Sequence, residues 1–312
     1  MTFSDAIKTG INTTNKNWML VLINVISMIV ALIGFAIIII VPLVVLLVVA
    51  GINSADSLKN IDPEPLFTLF STKYLGLVLF FAALAFVYTI FVMSAMLFIY
   101  GASSGVFAKT LDNEGFDFSF NSFMLEGKRL FTPMLGYTTL IGLASVVILV
   151  VLAVVLFIFY NVLPSDSITT SFAATFLKYL VLLVILTAVF FAFNAVVALT
   201  FYGSAAIASG NLKTLEVFKD CIRLMFKNPS TFWFYLFAMF LLIVAKIMLL
   251  VIIVLMSAIP LIGVVFGFTL NIAMPVVFIY LSYVFMASLF AYYFEVDTVK
   301  TDTVTHEIII EQ

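Results

Sequence analysis

The chain has 312 residues, of which 65% are hydrophobic and only 10% charged, with a mean hydropathy of +1.29. A soluble domain carries about a quarter charged residues to wet its surface, so this composition excludes a free-standing globular fold in water and points to lipid as the solvent. One cysteine (Cys221) and one histidine (His306) exclude an intramolecular disulfide, a cysteine cluster and any metal site needing two histidines of one chain.

Residues 1–17 are polar and mixed, with Asp5, Lys8 and Lys16, and the apolar run after them is far longer than a signal-peptide core. It reads as a retained first span. Charge-free stretches place the others: no Asp, Glu, Lys or Arg occurs between Lys16 and Asp56, Lys73 and Lys109, Arg129 and Asp166, or Lys178 and Lys213. From Lys227 to Glu295 only Lys246 interrupts, over a length that holds two spans. Since roughly 20 residues cross a hydrocarbon core of about 30 Å, six spans are predicted, at 18–41, 76–100, 134–160, 179–202, 232–257 and 268–292.

Orientation follows from the basic residues. Lys8, Lys16, Lys109, Lys128, Arg129, Lys213, Lys219, Arg223, Lys227 and Lys300 flank one side of a six-span chain; Lys59, Lys73 and Lys178 flank the other. Lys and Arg accumulate in cytoplasmic loops, so ten against three puts both termini in the cytoplasm of a multi-pass cell-membrane protein.

The chain also repeats itself. Pro133 and Pro164 bracket one span as Pro229 and Pro260 bracket another, at one offset of 96 residues. Ile7-Lys8 and Lys16-Asn17 match Phe218-Lys219 and Lys227-Asn228 at one offset of 211. Tyr100-Gly101 followed by Lys109-Thr110-Leu111-Asp112 echoes Tyr202-Gly203 followed by Lys213-Thr214-Leu215-Glu216. The implied unit is a cytoplasmic amphipathic helix, a span, an outer turn and a returning span, used three times. The helix is clearest in the third unit, where Leu215, Phe218, Ile222 and Met225 fall on one face opposite Glu216, Asp220 and Arg223. Weaker versions cover Phe3, Ile7 and Ile11, and Phe118 to Phe131.

This arrangement over about residues 3–294 resembles a group of prokaryotic six-span families, among them YciC-like proteins and the membrane domain found beside some glycerophosphodiester phosphodiesterases. The resemblance implies a fold and carries little function; the phosphodiesterase catalytic domain has no counterpart in this chain.

Few residues break the apolar pattern. Lys246 lies near the middle of the fifth span, with roughly 20 Å of helix on either side. A charge at that depth costs about 3 kcal/mol or more unless it is paired, and no acidic residue occurs in any span. Lys246 is therefore expected to face the protein interior, among hydroxyls at similar depth: Tyr88, Thr89, Ser145, Thr187, Tyr280, Ser282 and Tyr283. Asn194 and Asn271 are the other intramembrane polar groups, of the kind that bonds across helices, and Asn271 precedes a helix-kinking Pro275. The candidate site is thus Lys246, Tyr88, Thr187, Asn194, Asn271 and Tyr283. Gly101-Ala102-Ser103-Ser104-Gly105 fits the G-x-S-x-G nucleophile pattern literally, but follows a span rather than a strand and lacks a histidine partner. Asp112, Glu126, Glu216 and Asp220 are scattered juxtamembrane carboxylates.

The expected architecture is all-α: six transmembrane helices as three repeated hairpins, in one domain over 1–294 (units about 3–112, 113–210 and 211–294), with a cytoplasmic tail over 295–312. The expected function is non-enzymatic. It is either transport or binding of a small anionic or lipid-like molecule, or membrane organisation as a scaffold or complex subunit, with a lipid-modifying enzyme as the rival. The expected partners are the bilayer and either a second copy or another membrane protein. No catalytic residue, cofactor, metal or nucleic acid is expected.

Overall fold

The computed structural model describes residues 1–49, 72–113, 115–162, 172–210, 213–259 and 273–296, and among these no strand occurs. In lipid each backbone N–H and C=O needs a partner within its own segment, which leaves the helix as the default for Leu-, Ile-, Val- and Phe-rich runs. The helices are α1 (Phe3–Lys16), α2 (Met19–Phe35), α3 (Val41–Val49), α4 (Thr72–Asp112) and α5 (Phe120–Val162). They continue as α6 (Phe172–Ala208), α7 (Thr214–Lys227), α8 (Pro229–Ser257) and α9 (Ala273–Val296). Six segments are long and apolar enough to cross a membrane, from Met19–Val45 to Ala273–Val296, as in a multi-pass integral membrane protein. Hydroxyls within them bond back to the carbonyl one turn earlier: Ser27 to Ile23, Thr89 to Ala85, Ser145 to Ile141 and Thr187 to Leu183.

Proline leaves two different marks. Between α2 and α3 the backbone passes through a π turn at Ala36–Ile40. Pro42, just beyond, lacks an N–H for the Ile38 carbonyl and its ring crowds that oxygen, so widening the helix there relieves both. Pro133, by contrast, sits inside an unbroken α5. The separate helix expected over Phe118 to Phe131 and the span expected from 134 are therefore one helix: the proline deletes a single ladder bond and the chain carries on. At the other two junctions the helix does break. Asn17 and Asn228 leave helical geometry with φ −111° and −123°, while their N–H groups still cap Thr13 and Leu224. The short helices ending there, α1 and α7, are each 14 residues long. Thr2 caps α1, and its hydroxyl holds the Asp5 carboxyl below the ordinary carboxylate range.

The chain forms two compact units, Met19–Tyr100 and Met1–Trp18 with the described residues from Gly101 onward. In the first, the Tyr88 hydroxyl donates to the Ala31 carbonyl, and Gly34 leaves room for the Tyr88 ring beside Phe35. In the second, burial is concentrated where the C-terminal ends of α4, α6 and α9 meet the N-terminal ends of α5 and α8. Phe107, Leu130, Met134, Tyr137, Tyr202, Ile207, Phe234, Tyr235 and Phe290 are fully enclosed there. Glycine sets the closest approaches: a β-carbon at Gly10 would lie 2.1 Å from Ser288 Oγ, and one at Gly203 would lie 2.0 Å from Tyr137 Oη. Tyrosine hydroxyls then tie neighbouring helices, Tyr137 to the Leu199 carbonyl at 2.7 Å and Tyr202 to the Thr231 carbonyl at 2.8 Å. Phe3 of α1 joins the same core, its ring tilted against Phe234 and Phe237 and edge-on to Tyr292. Away from this end Val146, Leu149, Val150, Leu183, Leu186, Leu250 and Val254 are exposed.

Candidate functional site

Lys246 sits on α8 about 25 Å of helix from Pro229 and about 16 Å from Ser257. Its Nζ donates to Ser282 Oγ at 3.1 Å and lies 5.6 Å from the centroid of the Phe278 ring, both on α9. The Ser282 hydroxyl in turn donates to the Phe278 carbonyl at 2.8 Å, which leaves its oxygen lone pairs turned to the ammonium. A lysine has three N–H donors. One is used by Ser282, and the others have no partner among the described residues.

The lysine was expected to face the interior, but it is half-buried and Ser282 is exposed. The ammonium therefore lies along a surface seam between α8 and α9. Toward its C-terminal end α9 turns Tyr283, Phe285, Met286 and Phe290 inward instead. Phe285 packs edge-on against Phe201 and Tyr235.

The remaining candidate residues do not converge on Lys246. Tyr283 is buried, with its hydroxyl 3.0 Å from Ser103 Oγ and its ring edge-on to Phe107. The stretch 101–105 is wholly helical and buried, and its small residues bring α4 close to α5 and α9. Asn194 is buried and donates to the Phe190 carbonyl at 2.8 Å, while Tyr235 reaches its amide oxygen at a long 3.5 Å across to α8. Thr187 is exposed and donates to the Leu183 carbonyl of its own helix. Tyr88 belongs to the other compact unit. Asn271 lies outside the described residues, and Pro275 falls in the first turn of the described part of α9.

A second polar cluster was not anticipated as a unit. The Glu126 carboxylate, 4% exposed, is gripped by Lys109 Nζ at 2.7 Å from α4 and by Arg129 Nη2 at 2.7 Å one turn along α5. Arg129 also donates to the Ala208 carbonyl at 3.1 Å, at the end of α6. Gly105 makes the space, since a β-carbon there would stand 2.6 Å from Glu126 Oε2. Two cations about one buried carboxylate tie three helix ends together. The i, i+3 spacing of Glu126 and Arg129 was the signal in the sequence, but the partner across the helix gap has no local signature. Among the described residues no group of His, Cys, Asp and Glu could hold a metal ion.

No family model matches the chain, and no curated protein or solved structure matches it either.

Proposed function

We propose that the protein is a non-enzymatic integral membrane protein of the cell membrane that holds a small anionic or lipid-like molecule against Lys246 and moves or sequesters it. One observation carries the reading: a mid-span ammonium at a surface seam, fixed by Ser282 and Phe278, with two N–H donors that have no partner among the described residues. No carboxylate lies between Lys227 and Glu295 to neutralise it. An intramembrane charge of this kind marks a binding or transport path more often than a packing element.

The ten-to-three bias of basic residues supports cytoplasmic termini. A relation between the first and third hairpins is supported by α1 and α7, whose first and last residues both differ by the 211 positions seen in the sequence matches.

The test pairs stability with binding. A short-chain phosphatidic acid titrated into detergent-solubilised protein is expected to raise the melting temperature saturably. Lys246→Met removes the charge and keeps most of the stem, so it should fold at least as well and lose the shift; Lys246→Arg should keep part of it. A Met variant that melts normally and still responds fully would leave Lys246 a structural residue, and the scaffold reading would take over.

A further inference from the structure

Helix α7 carries more apolar surface than the protein covers. At 100° per residue, its buried side chains Leu224, Val217 and Cys221 occupy an arc of about 60°. Continuing round the helix come Met225, Phe218 and Ile222, half-buried, and then Leu215 and Phe226, which are 64% and 83% exposed. The apolar arc is thus about 200° wide, and only part of it faces the protein. The apolar face read from the sequence, Leu215, Phe218, Ile222 and Met225, was expected to lie against acyl chains or the bundle; the enclosed row is the one beside it, Val217, Cys221 and Leu224, with Phe218, Ile222 and Met225 half-buried and Leu215 exposed.

What borders the uncovered strip identifies its neighbour. Lys219 comes next to Phe226 round the helix and Arg223 follows it, before Glu216, Lys227 and Asp220 complete the polar arc. Lys219 and Lys227 have no ion-pair partner among the described residues, and Arg223 is 3.9 Å from Asp220. Phe226 lies three residues before α8 begins, and the exposed Trp233 follows within that helix's first turns. This is the level at which headgroups meet acyl chains, where an aromatic side chain and a snorkelling lysine are both satisfied.

We propose that α7 is an interfacial lipid-binding helix. The strip Leu215–Ile222–Phe226 inserts at the acyl–headgroup boundary, and Lys219, helped by Arg223 and Lys227, binds the phosphates of anionic phospholipids in that leaflet. A free phosphate ion would satisfy the lysines but leave the strip uncovered, so the occupant is the bilayer itself. This surface is separate from Lys246 and stands or falls without it.

The experiment uses the full chain with Trp18→Phe and Trp233→Phe, carrying Phe226→Trp, Leu215→Trp or Glu216→Trp as the only indole. It is reconstituted in phosphatidylcholine vesicles with or without phosphatidylglycerol. Lipids brominated high on the acyl chain are expected to quench the indoles at 226 and 215 several-fold more than the one at 216, with aqueous iodide giving the reverse order. Equal quenching at 226 and 216 by the brominated lipid would overturn the insertion. In a second arm the natural chain and Lys219→Gln/Lys227→Gln are extracted from mixed vesicles and their bound lipids counted by native mass spectrometry. The double variant should melt normally, because both side chains are exposed and have no ion-pair partner among the described residues, yet lose about fivefold in preference for phosphatidylglycerol per lysine removed. High salt should have the same effect on the natural chain. An unchanged preference would overturn the headgroup contact, and loss of the preference to free glycerol phosphate would show a soluble-anion site instead.

Discussion

Gly203→Ala isolates how tightly α5 and α6 are meshed. In a helix interior the change by itself gains about 1 kcal/mol, because alanine loses less backbone freedom on ordering. Here the new β-carbon would stand 2.0 Å from Tyr137 Oη and 2.1 Å from its Cζ, well inside contact distance. The Tyr137 ring is fully buried, so it must withdraw by more than an ångström and give up its 2.7 Å bond to the Leu199 carbonyl. Overpacking costs about 1–3 kcal/mol and the lost hydrogen bond about 1 kcal/mol, so the clash wins and the net loss is about 1–3 kcal/mol. Reversible unfolding in mixed micelles would measure it. Two controls fix the interpretation. Gly142, on the same α5 with open space about it, should gain up to about 1 kcal/mol on replacement by alanine. In a Tyr137→Ala background, Gly203→Ala should change sign and stabilise, giving a large coupling between the two positions. A Gly203→Ala protein as stable as the natural chain, or a cycle with no coupling, would refute the meshing.

Two further perturbations follow from the same geometry. Removing Glu126 frees Lys109 and Arg129, which are 45% and 40% exposed and can turn to water, so Glu126→Ala should cost only about 1–2 kcal/mol. Removing both cations strands a carboxylate that is 4% exposed, so Lys109→Ala/Arg129→Ala should cost more, about 3–5 kcal/mol; the reverse order in a denaturation series would show that the cluster is held by its cations rather than around its anion. For topology, single cysteines at Asn12 and Asn113 in a Cys221→Ala background should resist an impermeant thiol reagent in intact cells, while cysteines at Ser57 and Ser167 react; labelling at Asn113 would invert the orientation.

The helices were legible because charge-free runs and lipid impose one answer on the backbone, and each expected span has a helix on it. Their ends were less so. Spans were bounded by apolar composition, whereas the helical ladder continues through polar flanks, carrying α4 to Asp112 and starting α5 at Phe120. Proline misled in one place for the same reason, since at Pro133 a single missing bond does not end a helix held on both sides. For the site, Lys246 stood out because a charge in an apolar run is visible without any tertiary knowledge, and Ser282 was among the hydroxyls at its depth. Which way it faced was not legible, because that depends on how α8 packs beside α9, whose Ser282 and Phe278 are more than thirty residues away in the chain. The Glu126 cluster was missed for that reason too: Lys109, Glu126 and the Ala208 carbonyl belong to three helices.

In the larger compact unit, the concentration of burial at one end has a mechanical consequence. Beyond Ala238, the last buried residue of α8, about 28 Å of helix runs to Ser257 with no side chain enclosed. On α5 about 30 Å follows Ile141, and on α6 a similar length precedes Asn194. Each is an arm leaving a tyrosine-bonded root, and on α8 the Lys246–Ser282 bond ties the arm to α9 part-way along. Lateral pressure in the hydrocarbon region therefore acts on these helices with long leverage, and the torque is delivered to the clamp, where Tyr137, Tyr202 and Phe234 interlock. Bilayer thickness and acyl packing set the load on that joint.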